Sequence, residues 1–219
     1  MEAKAALKSW GIMDNIISIQ KMRKEKEIQQ SAFIIEQVEL IQNYVNRYVN
    51  IREKVKAKYI FSEIVGCGHA HIFSKIEEQL FLDWFTFDYI TIKGKTMYQT
   101  YAEHGHRTHP LHSIVHALFM ASVLEPFKVI KSEGNHIFAK KIVTGEHCTI
   151  KTMMKDMKYN DHTVFLRSLP VLDQLLCISE IFVPHDMKLN NLVDQGVTNT
   201  DNWRTYLKKF AIKYCWNNS

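Results

Sequence analysis

From Ile12 to Val65 the chain carries neither glycine nor proline. Those are the two residues that most disfavour a helix interior, so an uninterrupted stretch of this kind points to long helices. The apolar pattern agrees. Ile34, Val38, Ile41, Val45, Tyr48 and Val55 recur at spacings of three, four and seven, which keeps them on one stripe of a helix over Ile34–Tyr59. Two runs of charge accompany it: Lys21 to Glu27, and the cations Arg52, Lys54, Lys56 and Lys58. Each reads either as a solvated helix surface or as a face for phosphate groups, depending on whether the cations converge in space.

Composition narrows the class. With 46% hydrophobic and 11% aromatic residues the chain is too apolar for a disordered segment, and 8 Gly with 4 Pro exclude a collagen-like fibre. No apolar run approaches the roughly 18–20 residues needed to cross a bilayer. Met1 to Trp10 lacks the pattern of a secretory signal. The cysteines Cys67, Cys148, Cys177 and Cys215 are scattered and form no Cys-x-x-Cys pair, so reduced thiols in a cytoplasmic protein are expected. A formal charge of +5 is compatible with an acidic partner.

Gly66-Cys67-Gly68 ends the first helical stretch, and Ser74 with Glu77 has the form of a capping box. An aromatic segment (Phe81, Trp84, Phe85, Phe87, Tyr89) follows, expected to be core, then a short helix over Thr96–Glu103 and another from Pro110 to about Leu124. Near Pro126 the period changes. Phe127–Lys131, His136–Val143, His147–Ile150, His162–Leu169 and Val171–Val183 read as five strands, with Pro170 as a bend between the last two. From Asp201 a closing helix carries Trp203, Tyr206, Leu207, Phe210 and Tyr214 inward and Arg204, Lys208, Lys209 and Lys213 elsewhere. The expectation is an α+β chain: a helical domain over 1–125, a small antiparallel β-barrel-like module over 126–185, and a linker with an amphipathic helix over 186–219.

Two ordered blocks carry a family resemblance. The first is Phe81-Leu82-Asp83-Trp84-Phe85-Thr86-Phe87-Asp88-Tyr89 with Gly94-Lys95-Thr96 and Tyr101. The second is Phe127–Ile130, then Ile142-Val143-Thr144-Gly145-Glu146, then Phe165 to Val171 with Pro170-Val171 at its end. Together they resemble bacterial proteins of the type associated with the SEC-C motif, in which an aromatic helical block precedes a β-module around a "TGE" turn. That resemblance implies neither a catalytic residue nor, here, the zinc of the SEC-C tail, because no Cys-x-Cys or Cys-His cluster follows the β-module.

Five histidines crowd the span His104–His116. His112 and His116 stand one turn apart, with His109 three residues upstream, a spacing that two imidazoles need to share a zinc ion; His104, His106, His69 or His71 are candidates for a third ligand. Ser113 follows His112, so the general base of a His-Glu-x-x-His site is missing. Interfacial or solvent-exposed histidines are the competing reading. Asp83 and Asp88 lie five residues apart, about 140° around a helix, and share a face only if the helix bends. Without that bend one of them is free to bond an aromatic partner and the other to cap the helix or pair with an arginine; paired-carboxylate acid/base catalysis requires the bend. Cys67 and His69 form a nucleophile–base pair on paper, though a loop cysteine is the simpler reading. No Walker loop, nucleophile elbow or dinucleotide fingerprint is present.

The expected function is therefore a non-catalytic cytoplasmic binding protein. It would contact nucleic acid, as RNA or a ribonucleoprotein, through Arg52, Lys54, Lys56, Lys58, Arg204, Lys208, Lys209 and Lys213 and the β-module. The alternatives are a protein–protein adaptor using the N-terminal helices, and a metal-binding protein or hydrolase using His109, His112 and His116. No resident cofactor is expected beyond that zinc.

Overall fold

A computed structural model describes residues 2–104, 111–153, 159–184 and 203–216, with the side chains of 2–17 left aside. Helix α1 (Glu2–Tyr48) is followed by α2 (Ile51–Val65), α3 (Lys75–Phe87), α4 (Met97–His104) and α5 (His112–Ala121). Five strands come next: β1 (Leu124–Glu133), β2 (His136–Lys141), β3 (His147–Lys151), β4 (Thr163–Val171) and β5 (Gln174–Cys177). Helix α6 (Trp203–Cys215) closes the described chain.

The single helix expected over Ile34–Tyr59 is two. Ile34, Val38, Ile41 and Val45 are buried as the stripe requires, but Tyr48 and Val55 are exposed. The chain breaks between them because Asn50, in extended backbone, turns its side chain to accept from the Arg52 N–H at 2.9 Å and starts α2. An asparagine cap ends helical continuity without glycine or proline, which is why counting breakers missed it. The other end of α2 follows the rule: Gly66 takes φ +77°, and its N–H and that of Cys67 both donate to the Ser62 carbonyl. The capping box of α3 forms as expected, Glu77 N–H to Ser74 Oγ and Ser74 N–H to Glu77 Oε2. Helix α4 runs Met97–His104, one residue later than expected, whereas α5 (His112–Ala121) stops short of the expected end near Leu124, because Ser122 has extended backbone and Leu124 already opens β1; Pro110 lies outside the described residues.

The aromatic block of α3 forms the core. Phe81 and Phe85 are fully buried and stack on each other, and Phe61 of α2 meets Phe81, Trp84 and Trp216 at centroid distances of 5.5 Å. Trp216, just past α6, is 2% exposed. The last helix thereby closes the core opened by the second and third. In α6, Leu207, Ala211, Ile212, Tyr214 and Cys215 are buried, whereas Trp203, Tyr206 and Phe210 are only half-buried, so the inward stripe is rotated from the one expected. Asp201, read as its cap, lies outside the described residues.

The β-module is one five-stranded, mostly antiparallel sheet. Pairing runs β1-β2-β3-β5-β4 and returns from β4 to β1, closing the ring around Phe127, Val129, Ile137, Ala139, Ile150, Val164 and Leu166. Three details correct the sequence reading. The β3–β5 pair is parallel, which a purely antiparallel module excludes. Both prolines sit inside strands, Pro126 opposite Phe165 and Pro170 opposite Leu175, and the turn falls later, at Leu172-Asp173. Strand β5 is short; Phe182 instead bridges Phe165 through two backbone hydrogen bonds. Helix α1 is tied to this module by Glu27–Lys151 at 3.0 Å and Arg23–Asp173 at 3.2 Å.

Candidate functional site

Asp83 and Asp88 come together after all, both on Arg167, where the sequence reading gave an arginine to only one of them. Asp83 is on α3, and Asp88 is its C-cap with φ −120° and ψ −30°, so the backbone has already left the helix and the 140° separation no longer applies. Both carboxylates reach Arg167 of β4: Asp83 Oδ2 lies 2.8 Å and Asp88 Oδ2 2.6 Å from its Nη2. Arg167 also donates from Nη1 to the Ser122 carbonyl at 2.9 Å, and its guanidinium lies 4.7 Å from the Phe87 ring centroid. Its relative exposure is 0%. Burial works against its charge, but the two carboxylates outweigh that and raise its pKa. Burial, opposed by Arg167, pushes the Asp88 carboxyl up to about 6. This arrangement ties β4 of the sheet to α3 and to the end of α5. Asp88 is closed to solvent, and Asp83 alone of the three borders a cleft of about 380 Å³ between α1, α3 and β5.

The expected nucleic-acid cations divide. Lys58 is held by Glu78 at 2.9 Å and lies over the Phe73 ring at 4.1 Å. Lys208 donates to the Met120 carbonyl at 2.9 Å, and burial lowers its pKa. Arg204 and Lys213 lie over the rings of Trp203 and Phe210, each at 5.1 Å. Arg52, Lys56 and Lys209 are exposed and Lys54 is half-buried. Helices α2 and α6, which carry the two basic segments, pack against each other.

A further basic surface was missed because it exists only through strand register. Lys128 of β1 stands directly opposite Lys140 of β2, and Lys140 is in turn opposite His147 of β3. Phe138, two residues from Lys140 and on the same face, is 39% exposed, and Ile130 of β1 is 51% exposed. Lys128 Nζ donates to the Asp161 carbonyl, and neither lysine has a carboxylate partner among the described residues. Alternation in β2 was legible, but which lysines it would oppose depended on the bulge between Val129 and Lys131.

The histidines are engaged one by one. His116 Nδ1 and the Tyr98 hydroxyl are 2.9 Å apart, and His112 meets the Phe33 ring edge-on at 5.5 Å. His104 donates from Nδ1 to the Thr100 carbonyl at 2.7 Å. His71 bonds Glu77 at 3.2 Å, and His69 lies 3.0 Å from Glu63 while stacking on Tyr59. Among the described residues no three His, Cys, Asp or Glu side chains group as metal ligands; His106 and His109 lie outside them. Burial pushes the Cys148 thiol up to about 11 and the Cys177 thiol up to about 12, away from thiolate chemistry. The adaptor stripe is split: Ile34 to Val45 is covered by the chain itself, while Tyr48, Val55 and Tyr59 are exposed. No described helix is long and apolar enough to cross a membrane.

Compared with protein-family models, with curated proteins and with solved structures, the chain gives no significant match.

Proposed function

We propose that this chain is a non-catalytic cytoplasmic binding protein of the SEC-C-associated type, contacting nucleic acid as RNA or a ribonucleoprotein. The contact surface is the outer face of the β-module, with the exposed cations of α2 and α6 extending it. One observation carries the reading: Lys128 and Lys140 oppose each other on an exposed sheet face beside the exposed ring of Phe138. Like charges directly across a strand pair are destabilising, so a sheet that keeps them gains from an anion placed between them. Phosphate supplies that anion, and an adjacent aromatic ring offers a base something to stack on. Small closed β-modules commonly bind oligonucleotides on such a face.

The test is fluorescence anisotropy with labelled single-stranded RNA over a range of salt. Wild-type affinity should fall linearly in log–log form as salt rises. Replacing Lys128 and Lys140 by Glu should weaken binding at least about tenfold and flatten the salt slope by about 1 per lost phosphate contact. RNA binding that ignores both salt and this double substitution overturns the reading.

A further inference from the structure

A second cleft, of about 670 Å³, opens where α1 passes into α2. Tyr44 and Tyr48 come from α1, Asn50 and Glu53 from the start of α2, Lys93 from the turn after α3, and Tyr101 from α4. The rings of Tyr44 and Tyr48 stack at 5.3 Å and 26°, and Tyr101 meets Tyr44 at 5.4 Å and 60°. Tyr48 spends one face on Tyr44 yet is 73% exposed, leaving a supported aromatic surface at the mouth of the cleft.

Glu53 is held in place from one side only. Its Oε1 accepts from the Tyr89 hydroxyl at 2.8 Å and from the Ile92 N–H at 3.3 Å. Its Oε2 has no hydrogen-bond partner among the described residues. A fixed carboxylate with one open oxygen accepts and cannot donate. Of the common nucleobases, guanine presents two adjacent donors on its pairing edge, N1–H and the N2 amine. Adenine and cytosine set an acceptor beside their amine, and uracil sets acceptors on both sides of its single N–H. Unpaired bases are recognised in this way, by stacking on an aromatic ring and hydrogen bonding along the exposed edge. Lys93 supplies the cation for the attached phosphate.

We infer that this cleft is a subsite for one unpaired guanine base, stacked on Tyr48 and read by Glu53. The inference deepens the proposed nucleic-acid function and rests on it for the source of the base. Substitution of Glu53 by Gln is the discriminating variant. It keeps an oxygen to accept from Tyr89 and Ile92, so the fold is held, but it converts the open oxygen into a donor that opposes the guanine edge.

The experiment compares anisotropy of labelled oligouridine with the same oligomer bearing one central guanosine, for wild type, Glu53→Gln and Tyr48→Ala, with guanosine monophosphate as competitor. Wild type should prefer the guanosine oligomer by about tenfold, the size of one or two net hydrogen bonds. Glu53→Gln should abolish that preference, read as the ratio of the two affinities within the same folded variant, and Tyr48→Ala should lower the preference without changing the salt slope. Equal binding of both oligomers by wild type overturns the subsite and leaves the nucleic-acid reading standing. Binding of guanosine monophosphate alone, lost in Glu53→Gln, supports the subsite and overturns the RNA source. No binding of either probe overturns both.

Discussion

Nη2 of Arg167 lies 2.6 Å from Oδ2 of Asp88, while Oδ1 of the same carboxylate is buried with no hydrogen-bond partner among the described residues. The pair holds β4 to the end of α3, yet half of one partner is unsatisfied. Such a contact is costly to break and also costly to keep ionised. Its pH dependence follows.

Burial raises the Asp88 carboxyl to about 6 in the folded chain, above the ordinary aspartate value. Between roughly pH 4 and 6 the folded state therefore holds a proton that the unfolded state has released. The stabilisation from Asp88 is fully present below the unfolded value and is lost as pH rises through about 6. Asp88→Asn removes this titration. Urea unfolding of wild type and variant from pH 4 to 7 should show the wild-type advantage shrinking by on the order of 1–3 kcal/mol. A constant difference across that range would contradict the assignment to Asp88.

Arg167→Met leaves Asp83 and Asp88 buried without their counter-charge. At pH 7 it should destabilise by about 3–5 kcal/mol, the cost of orphaning a buried ion pair. The triple variant Asp83→Asn, Asp88→Asn, Arg167→Met removes every charge and should regain much of that loss. The midpoint of urea denaturation decides; a triple variant less stable than Arg167→Met would mean that shape, not charge, dominates the contact.

Trp216 sits 5.5 Å from Phe61, 5.3 Å from Phe73 and 5.5 Å from His71, closing the aromatic core from the far end of the chain. Trp216→Ala should cost about 3–5 kcal/mol. Hydrogen exchange should also quicken in α2 and α6 together, since the ring follows directly on α6 and packs on Phe61 of α2. Loss of protection confined to α6 would show that the core holds without it.

Asn50 separates α1 from α2 through one capping bond. Asn50→Ala should lower stability by about 1 kcal/mol, whereas Asn50→Asp, which keeps the acceptor, should be nearly neutral. Thermal denaturation of both variants distinguishes loss of the cap from loss of side-chain volume.

Local sequence determined the elements that local chemistry builds. The absence of breakers before Val65 marked helix, Ser74 and Glu77 marked the start of α3, and alternation after Phe127 marked a sheet, because capping and periodicity need only neighbours in the chain. Tertiary structure alone decided the rest. The meeting of Asp83 and Asp88 required Arg167, some 80 positions away, and a backbone that leaves the helix at Asp88. The opposition of Lys128 and Lys140 required the register that a bulge sets, and the tyrosine-lined cleft required α4 to return beside α1. Periodicity says which face a residue occupies, but which faces meet is fixed only when the chain packs, since hydrogen-bonded ion pairs and ring stacking need their partners at contact distance and carry no mark in the sequence.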